Sequence, residues 1–237
     1  DSKAFKKSVG LNGVGTKAVN ALSAEFIVQV WRDNKTRRVV FRQGKLVEDT
    51  DIQDYSGNEK RGTLIEFIPD NTKGIFENYH FRSDFIETMM RNYAYLNTGL
   101  TLVYDGKKYS SKNGLFDLLT ETMTVDPLYP IIHIKDEDIE IALTHTDQSG
   151  EEYHSFVNGQ HTIQGGTHQA AFREAIGRTI KEFYNKNFEL SDIRNGVVGA
   201  IAINVSEPVF ESQTKVKLGS KDMSPDGGLS VNKFVND

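Results

Sequence analysis

The sequence predicts an α+β protein in two parts. Runs of strand-like alternation give way to stretches with helical spacing and back again, without a regular βαβ repeat. Pro127 and Pro130 interrupt the pattern and place a boundary near residue 124, dividing 1–123 from 124–237. A continuous apolar run at 197–205, VVGAIAINV, reads as a strand buried on both faces.

Taken in order, residues 16–24 (TKAVNALSA) form a short helix after a glycine-rich turn. Two strand-like runs, 25–33 and 36–43, meet at Asp33-Asn34, a pair suited to the left-handed positions of a tight hairpin. Residues 62–69 (GTLIEFIP) alternate as a further strand. Ser83 is an N-cap candidate for a helix to about Asn97, with Phe85, Ile86, Met89, Met90, Tyr93 and Leu96 at helical spacing. Asp105-Gly106 joins strands at 101–104 and 107–110, and 114–122 reads as another helix. Beyond the prolines, 139–146 and 153–157 are expected to pair as a hairpin around Gln148-Ser149-Gly150, and 169–185 is the longest helix candidate.

Composition narrows the function classes. With 28 Lys and Arg against 33 Asp and Glu, the net charge is -5, a poor basis for broad binding to a phosphate backbone. Cysteine is absent, which removes disulfides and thiolate metal sites and fits a reducing cytoplasm. No apolar run approaches the ~18 residues of a membrane span. The basic start, DSKAFKKS, has no apolar stretch behind it and is not a signal peptide. It also lacks an initiator Met, so the chain is expected to be cut from a longer one.

Gly10-Leu11-Asn12-Gly13-Val14-Gly15-Thr16-Lys17 carries the most chemistry. Glycines let backbone approach a ligand closely, and a helix N-terminus offers unpaired N–H groups and partial positive charge, a combination that favours phosphate. A plain glycine turn before a helix is the simpler alternative. The loop is not a Walker A sequence, because Thr16-Lys17 reverses the required Lys-Ser/Thr order. Gly13-Val14-Gly15-Thr16-Lys17-Ala18 matches a dinucleotide fingerprint, yet the residues before it are too polar for the buried strand that fingerprint follows.

Read whole, 9–23 (VGLNGVGTKAVNALS) resembles the ATP-lid glycine box of the gyrase and topoisomerase IV B-type subunits, in the ATPase superfamily shared with Hsp90, MutL and histidine kinases. Residues 156–175 (FVNGQHTIQGGTHQAAFREA), 208–219 (PVFESQTKVKLG) and 62–70 (GTLIEFIPD) are similar to three further segments of the same family, in the same order. The resemblance implies the C-terminal part of a gyrase/Hsp90/MutL-type ATP-binding domain over 1–123, followed by an α+β transducer domain over 124–237 that relays nucleotide state to a DNA gate. It implies ATP with Mg2+, DNA and an A-type DNA-cleaving subunit as partners, and a homodimer through the ATPase region. Gly10, Leu11, Asn12, Gly13, Val14, Gly15 and Thr16 would wrap the triphosphate, and Thr63 would lie near the adenine pocket. Gln213 would position the γ-phosphate end, and Lys215 would stabilise charge developing on the transferred phosphoryl group.

Two departures qualify this. Asn12 stands where many bacterial relatives carry His. The family's general-base Glu, Mg-binding Asn and adenine-binding Asp lie upstream of the lid, and nothing here matches them. The chain is therefore expected to begin inside the lid and to be inactive alone. A non-catalytic transducer or interaction fragment is the alternative, and a dinucleotide-dependent oxidoreductase keeps only the glycine spacing.

Other residues have plain readings. His154, His161 and His168 recur every seven residues with no further ligand at metal spacing, so structural roles are expected, with Thr167 and His168 capping a helix. Asp136-Glu137-Asp138 and Glu151-Glu152 read as solvated loop charge, and Lys217 and Lys221 as surface lysines beside Lys215.

Overall fold

The computed structural model describes residue 7, residue 10, residues 13–59 and residues 61–237. They are α+β and fall into two compact units, one over 12–82 and the other over 1–11 with 83–237.

The unit over 12–82 is a sheet with one short helix. Helix α1 (Gly15–Ala21) leads into β1 (Ser23–Arg32), β2 (Lys35–Arg42), β3 (Lys45–Asp49), β4 (Gln53–Asp54) and β5 (Gly62–Pro69). The order is β3-β2-β1-β5, with β4 also pairing β2, and β1 runs antiparallel to both β2 and β5. Asp33 and Asn34, at φ 53 and 58, make the tight turn that the sequence expected. After β5 the chain is fixed by the buried Asp70, whose carboxylate accepts from the Thr72 N–H at 2.9 Å, the Thr72 hydroxyl at 2.6 Å and the Gln43 amide at 2.7 Å. These bonds, the Thr72 hydroxyl foremost, hold its carboxyl below the usual range.

The unit that holds 83–237 is a five-stranded sheet covered on both faces. Helix α2 (Ser83–Leu96), β6 (Leu102–Tyr104), β7 (Lys107–Tyr109) and α3 (Leu115–Thr122) precede the sheet strands β8 (Ile132–Lys135), β9 (Ile139–His145), β10 (Glu152–Val157) and β11 (Gln160–His161). Helices α4 (Thr167–Tyr184) and α5 (Leu190–Arg194), strand β12 (Val197–Ile203) and α6 (Val231–Asn236) follow. Alternation along β9 and β12 divides the core. Ala142, Val198 and Ala200 meet Tyr95 of α2 and Leu115, Leu118 and Leu119 of α3. Val197, Ile201 and Ile203 face the other way, onto Phe172 and Ile176 of α4 and Val231 of α6. Packing therefore draws its line at 82/83, and α2 and α3 lie on the same sheet as the segment that follows the proline pair.

The sequence predicts that 139–146 and 153–157 pair as a hairpin. Strands β9 and β10 do not form a hairpin. The order is β11-β10-β12-β9-β8, with β12 antiparallel to β9 and parallel to β10. The apolar β12 takes the centre, where both its faces are covered, and the loop around Gln148-Ser149-Gly150 spans the gap.

Candidate functional site

A backbone loop can hold phosphate only if its amides are not already taken and the ligand has room to approach. Gly13 lies at φ +59, a left-handed position that glycine adopts without strain, and turns the chain into α1. Val14 is the N-cap and offers no capping side chain, and the first turn carries no acidic residue. A Cβ built on Gly13 or Gly15 would meet nothing within 4 Å. Thr16 and Lys17 are exposed on the helix, and Gly10 is exposed outside any helix or strand. The N-terminus of α1 thus carries the partial positive charge of a helix end, with no acidic residue in its first turn. Leu11 and Asn12 lie outside the described residues. Thr63, the second residue of β5, is exposed and sits opposite Val30 of β1.

Gln213 and Lys215 share one turn in the unit that holds 83–237. Lys215 N–H donates to the Ser212 carbonyl at 3.0 Å, closing a four-residue turn in which Lys215 takes φ +57. The Ser212 and Thr214 hydroxyls lie 2.7 Å apart within it. Gln213 is exposed and Lys215 half-buried. Below the turn the two arms pair: Glu211 N–H donates to Lys217 O at 3.0 Å, and Gly219 N–H to Val209 O at 2.8 Å. Lys217 is also ion-paired to Glu211 at 3.0 Å, across the two arms.

The GGTH segment does something the sequence did not disclose. Gly166, not Thr167 or His168, is the N-cap of α4, and no side chain caps it. Thr167 donates its hydroxyl to the Ser220 carbonyl at 2.6 Å. His168 is fully buried, with Nε2 3.1 Å from the Thr162 hydroxyl and Nδ1 without a hydrogen-bond partner. Burial pulls its imidazole down to about 4, so it is neutral at ordinary pH. The signal available in the sequence was the Gly165-Gly166 pair just ahead of a helix, which marks close backbone approach as readily as it marks a cap. Asn158 in the same motif is explained by geometry: at φ 50 it makes the β10–β11 turn, and its side chain bonds both the N–H and the carbonyl of Val205.

His154 and His161, the other two of the seven-residue series, have local partners. His154 Nε2 lies 3.0 Å from a Glu152 carboxylate oxygen, and the ring of His161 stacks on Phe156 with centroids 4.9 Å apart. Among the described residues no group of three or more His, Asp or Glu side chains could hold a metal ion. Glu151 is not solvated loop charge. Its carboxylate takes two bonds from Arg173, at 2.8 and 2.9 Å, one from Arg194 at 3.2 Å and one from the Tyr153 hydroxyl at 2.8 Å.

A family model described as DNA gyrase B matches residues 83–237, the span over which the sheet and its covering helices pack as one unit. The chain belongs to the DNA gyrase B family. Among relatives in this family, the B-type subunit of DNA topoisomerase 4 from Borreliella burgdorferi is 43% identical over 234 residues, which is 98% of this chain and 38% of that protein. The B-type subunit of DNA gyrase from Helicobacter pylori (strain J99) is 33% identical over 240 residues, 93% of this chain and 31% of that one. The chain thus spans little more than a third of the first relative and less than a third of the second. Among solved structures, the 43K ATPase domain of Thermus thermophilus gyrase B in complex with an aminocoumarin superposes with a TM-score of 0.71 at 28% identity, covering 98% of this chain and 67% of that one. The ATPase region of Saccharomyces cerevisiae topoisomerase II shares the fold, with a TM-score of 0.72 at 22% identity over 98% of this chain and 62% of that one. No helix among the described residues is long and apolar enough to cross a membrane.

Proposed function

We propose that this gyrase B family chain is part of the ATP-hydrolysing subunit of a type IIA DNA topoisomerase, a cytoplasmic enzyme that passes one DNA duplex through another. The observation that carries the reading is the Ser212–Lys215 turn, which presents Gln213 and Lys215 together at the tip of a paired loop. In this reading the amides of the glycine box, Gly10 to Gly15 with Thr16, wrap the triphosphate of ATP, and Thr63 lies beside the adenine. Lys215 stabilises negative charge developing on the transferred phosphoryl group, while Gln213 orients that end of the nucleotide. Residues 1–123 act as part of the ATP-binding domain and 124–237 as the transducer, with α2 and α3 resting on the transducer's sheet. The working enzyme pairs two such subunits and adds an A-type subunit that cleaves DNA. Mg2+, when bound, would supply charge neutralisation at the phosphates.

ATP turnover tests the reading. In the complete subunit, Lys215→Ala is expected to lower kcat by two to three decades, matching the ~3–4 kcal/mol usually lost with one transition-state contact of this kind. Unchanged turnover removes Lys215 from the site. The 237 residues alone are expected to show no magnesium-dependent turnover, and turnover by them that disappears with Lys215→Ala would refute their inactivity.

A further inference from the structure

The GGTH segment and the loop carrying Lys215 are physically one piece. Leu218 N–H donates to Gly165 O at 3.1 Å, Thr167 N–H to Leu218 O at 3.2 Å and Gln164 N–H to Val216 O at 2.9 Å. Gly166 and Leu218 thereby form a short parallel bridge, and Leu218 is buried beneath it. Only glycine fits there. Gly166 lies at φ +138, and a Cβ on it would stand 2.5 Å from Leu218 O and 2.6 Å from Leu218 N. The Thr167 hydroxyl adds a fourth tie, to Ser220 O on the far side of Leu218. Ser220 in turn bonds Val209 at the start of the other arm, through its hydroxyl at 2.8 Å and its N–H at 3.2 Å. Both arms of the loop are therefore fastened to the N-terminus of α4, three residues from Lys215 along the returning arm.

We propose that Thr167, seated by Gly166, is a positioning residue for Lys215: its hydroxyl fixes the base of the loop and so the place of the lysine ammonium. Thr167 touches no substrate. This inference rests on the assignment of Lys215 to the transferred phosphoryl group. The physical argument is that of near-attack geometry, in which displacement of a charged group by about 1 Å costs on the order of a hundredfold in rate. Loss of one of four ties should move the loop by less than that. Thr167→Val keeps the shape and removes the donor, so kcat for ATP is expected to fall roughly five- to tenfold with KM little changed. Thr167→Ser keeps the donor and is expected to retain the parent rate.

A double-mutant cycle in the complete subunit, assembled with its DNA-cleaving partner, tests this. It reads kcat and KM for Thr167→Val, Lys215→Ala and the pair, with thermal melts of each. The expected result is that Thr167→Val slows the parent but not the Lys215→Ala enzyme, because the hydroxyl acts only through the lysine. An equal fractional loss in both backgrounds marks general damage and overturns the proposal, as does a Thr167→Val enzyme as fast as the parent, or a Thr167→Ser enzyme as slow as Thr167→Val. Should Thr167→Val melt below the assay temperature, Thr167→Ala enters the cycle in its place. If Lys215→Ala alone leaves kcat unchanged, the fault lies with the assignment of Lys215, and that arm shows it whatever Thr167 does.

Discussion

Glu151 shows how much a single side chain can hold in this fold. Its carboxylate ties the start of β10 to Arg173 of α4 and Arg194 of α5, and those bonds, the Arg173 guanidinium foremost, pull it from 4.5 to about 2. A carboxyl whose folded value is depressed contributes stability that is complete above its unfolded value and lost as pH falls through the folded one. The window here runs from about pH 4.5 down to about pH 2. With Arg173 partly exposed, the contribution at neutral pH is on the order of 2 kcal/mol. Glu151→Gln is expected to lower the urea midpoint at pH 7, and the gap to the parent should close as pH falls through that window. A gap that stays constant from pH 7 to pH 2 contradicts the assignment. From sequence, Glu151-Glu152 looked like solvated charge, because both arginines that hold Glu151 come from distant parts of the chain.

At the level of elements, what the sequence disclosed was local. Asp33-Asn34 and Asp105-Gly106 named their turns because the left-handed requirement is written into two adjacent residues. Helix α2 followed from helical spacing of apolar residues, and α3 and α4 were read as helices beside it. The partner of β10 did not follow in this way, since β12 reaches it only after α4 and α5, and no local signal reports insertion between two strands that are neighbours in sequence. The short strands β3, β4 and β8 escaped notice because each has five residues or fewer, too few to establish a period. Gly199 on β12 records how closely α4 approaches the sheet: a Cβ there would stand 2.9 Å from Cε1 of Phe172. Gly199→Ala is expected to push that ring out of its seat and cost about 1–3 kcal/mol, read as a lower urea midpoint. An unchanged midpoint would show that the ring has room to move.

Across the whole molecule, family membership was legible because four motifs fall in order, and each has a physical reason now visible. The glycine box opens α1 through the left-handed Gly13, and the Asp of GTLIEFIPD is the buried acceptor Asp70. Asn158 clamps Val205, and GGTH fastens the loop that bears Lys215. What the motifs could not reveal was that GGTH and the loop of Lys215 belong to one clamp, since Thr167 and its partner Ser220 stand 53 positions apart. The net charge of -5 remains a poor basis for broad binding to a phosphate backbone. The proposal that these residues serve ATP-driven strand passage is decided by decatenation and supercoil relaxation with the complete subunit and its DNA-cleaving partner. The expected result is strand passage that requires ATP and falls with Lys215→Ala in proportion to ATP turnover. Passage that proceeds at the parent rate with Lys215→Ala, or without nucleotide, would contradict it.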